Sequence, residues 1–153
     1  MENLTIRQMK LSDICQVVEI EKECFALPWS YKAFEESLSK PYAVFLVAEI
    51  KKDDSDDYEI AGYVGVYHIG DECDITNVAV LPAHRRQGIA RLLLKGIEEY
   101  GLAKNVHTIT LEVRESNTKA ISLYEKMQYK NIGIRKNFYE KPVENAIIMV
   151  RMF

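Results

Sequence analysis

The run Asn77-Val78-Ala79-Val80-Leu81-Pro82-Ala83-His84-Arg85-Arg86-Gln87-Gly88-Ile89-Ala90-Arg91 joins a strand-like apolar segment to a basic, glycine-containing turn with almost nothing in between. Upstream, the strand character extends from about Cys73 to Val80. Downstream, Ile89, Leu92, Leu93, Ile97 and Tyr100 recur at helical spacing, which predicts a helix whose apolar stripe lies in the core against a sheet. The turn therefore sits where a helix begins and where backbone N–H groups lack intrahelical partners, a setting suited to an anionic ligand. Gly88 has no side chain to obstruct a close approach, and Arg85, Arg86 and Arg91 surround it with positive charge, so a diphosphate fits. A merely solvated arginine-rich loop is the competing account. The turn lacks the Lys-Ser/Thr ending of a P-loop and the GxGxxG of a dinucleotide fold, which argues against ATP and NAD.

On the N-terminal side, Leu4 to Met9 is strand-like, and Ser12-Asp13 offers an N-cap to a helix through Ile14, Val17, Val18 and Ile20. An aromatic-rich break, Pro28-Trp29-Ser30, follows. Ser30 caps a second helix carrying Phe34 and Leu38, which Pro41 closes. Tyr42 to Ile50 and Tyr58 to Ile69 have strand composition, with the polar stretch 51–57 as a solvated hairpin connection. On the C-terminal side come a strand from Thr108 to Val113, a helix capped by Ser116-Asn117 that contains Ala120, Ile121, Tyr124 and Met127, and two further strands, Tyr129 to Ile134 and Ala146 to Met152. Strands and helices alternate without an internal repeat, which predicts one mixed sheet covered by helices, an α/β (α+β) fold.

The 153 residues suit one domain spanning 1–153, and 48% hydrophobic with 28% charged residues is ordinary globular composition. A net charge of -3 argues against a dedicated nucleic-acid binder, which normally presents a basic face, and leaves a basic peptide as a plausible partner. The start, Met1 to Arg7, lacks the apolar core of a signal peptide and no window is long enough to span a membrane, so a cytoplasmic protein is expected. Cys15, Cys24 and Cys73 fit neither a disulfide framework nor a zinc spacing, and are expected as reduced, packed thiols. His68, His84 and His107 are scattered without HExxH spacing, so no metal is expected.

The segment Arg85-Arg86-Gln87-Gly88-Ile89-Ala90, behind the strand Asn77-Val78-Ala79-Val80, resembles the R/Q-x-x-G-x-G/A signature of the GNAT acetyltransferases. Leu111 to Asn117, Ala120 to Glu125 and the loop Phe25 to Ser30 extend the likeness over essentially the whole chain, toward the branch that acetylates the N-terminal alanine of a ribosomal protein. The resemblance implies a GNAT fold with about six to seven strands and about four helices, its sheet splayed to receive acetyl-CoA. Backbone groups of Val78, Ala79 and Val80 would hold the pantetheine arm; Arg86, Gln87, Gly88, Ile89, Ala90 and Arg91 would hold the diphosphate, and Asn117 would both cap its helix and contact the cofactor. It also implies Glu112 as general base acting through water and Tyr124 as the acid that protonates the departing sulfur. An α-amino group titrates near about 8 and a lysine near about 10.4, so an N-terminus needs less help from a base; a tyrosine at about 10 is a weaker acid than a thiol at about 8.5 and needs help from its surroundings. Without the resemblance, Glu112 reads as a strand-end carboxylate pairing with Arg114 or solvent, and Tyr124 as core. Leu27, Trp29 and Tyr139 are implied to enclose a peptide N-terminus; pinning loops to the core is their other reading. The acceptor implied is a ribosomal-protein N-terminal peptide, with lysine, polyamine or another small amine as the alternative and a non-catalytic acetyl-CoA sensor as the distant one. No oligomeric state is implied. Two departures stand out: Ala90 replaces the commoner final glycine, and Gln128-Tyr129 stands where many relatives have Gly-Phe, at a cost of up to roughly 1 kcal/mol for the lost left-handed cap.

Overall fold

A computed structural model describes residues 3–153. Seven strands form one sheet, and four α-helices cover it: β1 (Leu4–Gln8), α1 (Ile14–Cys24), α2 (Tyr31–Leu38), β2 (Ala43–Lys51), β3 (Tyr58–Ile69), β4 (Glu72–Val80), α3 (Ile89–Ala103), β5 (Thr108–Arg114), α4 (Thr118–Lys126), β6 (Lys130–Glu140) and β7 (Val143–Met152). The strand order is β1-β2-β3-β4-β5-β7-β6, antiparallel throughout except for the parallel β4–β5 pair. Both faces of the central strands are buried, so side chains alternate between two cores. On β2, Leu46 and Ala48 pack on the side of Leu93, Leu94 and Ile97 of α3, while Phe45 and Val47 pack on the side of Ile14, Val17 and Ile20 of α1 and Phe34 of α2.

Two irregularities open the sheet. Gly65 pairs with Asn77 but Val66 pairs with Ile75, so Thr76 is an extra residue bulging from β4. The parallel ladder between β4 and β5 holds only at Glu72–Asp74 with Thr108–Thr110. Beyond it β5 continues along β7, from Thr108 opposite Met152 to Arg114 opposite Ala146, and the second half of β4 is left without a strand on that side. The mixed, splayed sheet expected from the sequence is therefore the sheet observed. On the opposite edge of β4 the fit with β3 is close: a Cβ on Gly62 would lie 2.7 Å from the Ala79 carbonyl oxygen.

Several local expectations need correction. Leu92 is 39% exposed, and Leu94 takes its place in the core beside Leu93; a stripe read at spacing alone had the helix rotated by part of a turn. Asp13 precedes α1 but makes no side-chain cap bond to it. Its buried carboxylate instead accepts from Arg7 Nη1 at 2.8 Å and Nη2 at 3.0 Å, from the Lys10 N–H at 2.7 Å and from the Tyr58 hydroxyl at 3.0 Å, tying β1, α1 and β3 together. Burial works against its charged form, but these donors outweigh it and hold Asp13 below the usual carboxylate range. Cys73 is buried and Cys24 half-buried, but Cys15 is exposed rather than packed. The last two strands are longer than their apolar runs. β6 is an exposed edge interrupted between Asn131 and Gly133 and between Arg135 and Tyr139, so its polar residues carried no alternating signal. Among the described residues, no helix is long and apolar enough to cross a membrane.

Candidate active site

Where β4 and β5 part, a cleft of about 760 Å³ opens. Its floor is the bulged end of β4, with Thr76, Asn77 and Val78, facing Glu112, Val113 and Arg114 on β5. Asn117 and Tyr124 enter from the start and middle of α4. Phe25, Leu27 and Trp29 of the α1–α2 connection and Phe138 and Tyr139 of β6 complete the lining. Seven residues singled out from sequence thus meet in one space: Leu27, Trp29, Val78, Glu112, Asn117, Tyr124 and Tyr139. Ala79 and Val80 lie beneath the lining, both largely buried, and the Arg86–Arg91 segment lies beyond it at the start of α3.

The side chains in the cleft have distinct electrostatic settings. Glu112 is partly exposed, at 27%, and its Oε1 lies 3.6 Å from Arg135 Nε. Its ion-pair partner is thus Arg135 on β6, whereas Arg114 pairs with Glu144 at 3.1 Å. Tyr124 is only 5% exposed, and burial, with a smaller contribution from Tyr139, raises its hydroxyl above the ordinary tyrosine range. Tyr139 is raised to about 12, chiefly by burial. Glu112 and Glu144 add to that rise and Arg114 opposes it; the Arg114 guanidinium stacks 4.3 Å from the Tyr139 ring centre. Asn117 caps α4, its side chain accepting from the Ala120 N–H at 3.2 Å, as its position predicts.

The turn before α3 is shaped for close approach of an anion. Arg86 and Gly88 both have left-handed backbones, at φ 65° and 77°, and Gly88 forms the N-cap of α3 without a side-chain cap. A Cβ added to Gly88 would meet no atom within 4 Å, so it is the backbone conformation and an open face, not crowding, that glycine serves here. Arg86, Gln87 and Arg91 are exposed around it. Arg85 behaves differently: its Nε donates to the Val80 carbonyl at 3.2 Å and its Nη2 lies 3.4 Å from Cys24 Sγ, fixing the turn to β4. The β4 edge beyond Asp74, unpaired on the β5 side, leads through this turn into the N-terminus of α3.

Residues 14–129 match the model of the acetyltransferase (GNAT) family. The chain belongs to that family. It is 39% identical over 145 residues to a Bacillus subtilis protein provisionally assigned as a ribosomal protein bS18-alanine N-acetyltransferase, covering 94% of this chain and 92% of the relative. The crystal structure of the Escherichia coli ribosomal-protein-S18-alanine N-acetyltransferase superposes with a TM-score of 0.86 at 30% identity, over 97% of this chain and 93% of that one. NAA60 of Arabidopsis thaliana, solved in complex with acetyl-CoA, shares the fold with a TM-score of 0.85 at 19% identity, over 98% of each chain. As a GNAT enzyme, this chain is an acetyl-CoA-dependent acyltransferase. Among the described residues, no group of three or more His, Cys, Asp or Glu side chains is arranged to hold a metal ion.

Sequence reasoning missed a buried carboxylate in this GNAT cleft. Glu21, on α1, is 1% exposed yet lines the space. One oxygen accepts from the Trp29 N–H at 2.9 Å and the other from the Tyr63 hydroxyl. Burial raises Glu21 above the usual carboxylate range, and Tyr63, the Trp29 N–H and the Asn77 side chain act in the other direction. Asn77 Oδ1 is itself buried without a partner. The only sequence signal was a glutamate one position beyond the apolar Ile20, on the inner side of an amphipathic helix. Arg135 was missed because its edge strand showed no pattern.

Proposed function

We propose that this chain transfers the acetyl group of acetyl-CoA to the α-amino group of a protein N-terminus, and that its acceptor is a ribosomal protein beginning with alanine. The observation that carries this is the joining of a carboxylate, a buried tyrosine and two aromatic-rich segments, 25–29 and 138–139, around one cleft at the opened β4–β5 seam. Relatives named for this activity, matched over almost the whole chain, support the acceptor class.

Acetyl-CoA supplies an activated acyl group on a thiol leaving group. The residues that would hold it are the free edge of β4 at Val78, Ala79 and Val80, the turn Arg86–Arg91, and Asn117. Glu112 takes a proton from the incoming ammonium through a water molecule, and its partial exposure lets that water reach it. Its neighbour Arg135, 3.6 Å away, must yield room for the water. Tyr124 then gives its hydroxyl proton to the sulfur as the new C–N bond displaces the C–S bond, and regains a proton from the second one that the acetylated nitrogen sheds. Burial that raises Tyr124 also penalises a thiolate formed in the same dry cleft, so the two proton affinities rise together and the transfer stays feasible. Leu27, Trp29 and Tyr139 exclude water and limit the space beside the amine, favouring a small first residue. Acetylation cancels one positive charge on the product.

Mass spectrometry of synthetic peptides tests this directly. One peptide carries a free alanine start and a second is blocked there but contains lysine; polyamines run alongside. Acetylation confined to the free N-terminus, and lost in Glu112→Gln and Tyr124→Phe, is the expected result. Acetylated lysine or polyamine would replace the acceptor assignment with a broader one, and acetyl-CoA binding without any product would overturn the enzymatic reading.

A further inference from the structure

We infer that Glu21 is a positioning residue for the acceptor, a tether that fixes the Trp29 segment against the sheet through two opposed hydrogen bonds. This rests on the proposed function in so far as that segment meets the acceptor. A carboxylate buried this deeply, without a lysine or arginine beside it, is costly unless several donors converge on it. Here the donors come from two separate elements, the Tyr63 hydroxyl of β3 and the Trp29 N–H of the α1–α2 connection, and the Asn77 side chain at the β4 bulge also favours the charged form. Glu21 also holds its own helix end, since the Phe25 N–H donates to its carbonyl at 2.9 Å. The residues between, Phe25, Ala26 and Leu27, all line the cleft and are exposed, with no side-chain bond of their own to set their height above β4.

The anchoring extends into packing. The Trp29 ring lies 5.2 Å from Phe34 and 6.4 Å from Phe45, and Phe34 meets Tyr63 edge-on at 5.5 Å. The tyrosine that bonds Glu21 therefore also supports the aromatic group under Trp29, so the carboxylate sets the backbone position and the rings set the side chain. Both Glu21 oxygens are engaged, which distinguishes it from Glu112: it is built to hold a loop rather than to exchange a proton with substrate.

Trp29 is the single tryptophan of the chain, so its fluorescence reports the tether independently of turnover. Glu21→Ala removes both acceptors, and loss of a charge-assisted bond should raise the peptide KM about tenfold while the acetyl-CoA KM changes less than about twofold. Acrylamide quenching of Trp29 should rise in the same variant. Glu21→Gln, which keeps an acceptor for the Trp29 N–H and lets the Tyr63 hydroxyl turn to accept, should restore most of both readouts. Where Glu21→Ala fails to fold, Tyr63→Phe carries the same two measurements, with a smaller change in the same direction. Wild-type peptide KM and wild-type quenching in folded Glu21→Ala, or in Tyr63→Phe in its place, would overturn the tether. Wild-type enzyme that acetylates no peptide at all would instead overturn the proposed function, while the Trp29 quenching would still judge Glu21.

Discussion

The wall assigned to the acetyl donor and the wall assigned to the acceptor are built by opposite means. The donor wall is one continuous stretch, 77–91, in which a bulge, a strand edge freed from its neighbour and a helix N-terminus present backbone groups in sequence. The acceptor wall joins segments more than a hundred positions apart, 25–29 and 138–139, and it works through side chains. Those side chains are held from behind, Trp29 by the Phe34 and Phe45 rings and Tyr139 by the Arg114 guanidinium, while Glu21 holds the Trp29 backbone. A backbone wall tolerates changes of side chain but not of φ and ψ. A side-chain wall can be retuned one residue at a time, which suits the half of the reaction that varies between family members.

The sharpest test of that division uses the residue that belongs to neither wall. Tyr124→Phe keeps the ring and removes only the hydroxyl, so kcat should fall by about 10²–10⁴-fold with both KM values within about twofold. Unchanged kcat would remove Tyr124 from the chemistry and leave it as core. Next in size is Gly88→Val, which forces a β-branched residue into a left-handed backbone and fills the open face of the turn. It should raise the acetyl-CoA KM about tenfold and cost about 1–3 kcal/mol in thermal unfolding, with the peptide KM unchanged. An equal effect on both substrates would erase the distinction between the walls. Smaller still is Arg114→Gln, which removes the cation stacked on Tyr139 and should raise only the peptide KM, roughly threefold.

The same contrast explains what could be read from the chain. The Gln87-Gly88-Ile89 turn announces itself because the role proposed for it lies in contiguous backbone, and the near-continuous apolar runs of β2 and β3 fit strands buried on both faces. Asn117 was legible as a cap because capping is local. Glu21 was not, since its partners Tyr63 and Trp29 come from two other elements and no spacing rule links them. Arg135 was hidden for a related reason: an exposed, twice-interrupted edge strand has no periodicity to read, and the ion pair with Glu112 arises only from how β6 and β5 flank β7. Leu92 shows the limit of periodicity itself, which finds a helix readily but fixes its rotation only to within a residue.

The smallest expected effect lies outside both walls, at the end of α4. Gln128 has φ 76°, the left-handed conformation that a glycine adopts without strain. Its N–H donates to the Glu125 carbonyl at 3.0 Å and the Tyr129 N–H reaches back to the Tyr124 carbonyl at 2.9 Å, the paired bonds of a Schellman cap. The Tyr124 and Tyr129 rings then meet at 5.7 Å, the apolar contact that accompanies such a cap. The chain thus completes the cap with a residue that resists it, because the two bonds and the ring contact outweigh the local strain. Gln128→Gly relieves that strain but loosens the unfolded chain, so the net gain should be at most about 1 kcal/mol, a rise in Tm of roughly 2–4 °C. Because the cap fixes the carbonyl end of Tyr124 and not its hydroxyl, kcat and both KM values should stay at wild-type levels. A loss of stability would mean that the glutamine side chain supplies packing that its exposed position does not reveal, and a change in kcat would mean that the set of Tyr124 in the cleft depends on how its helix ends.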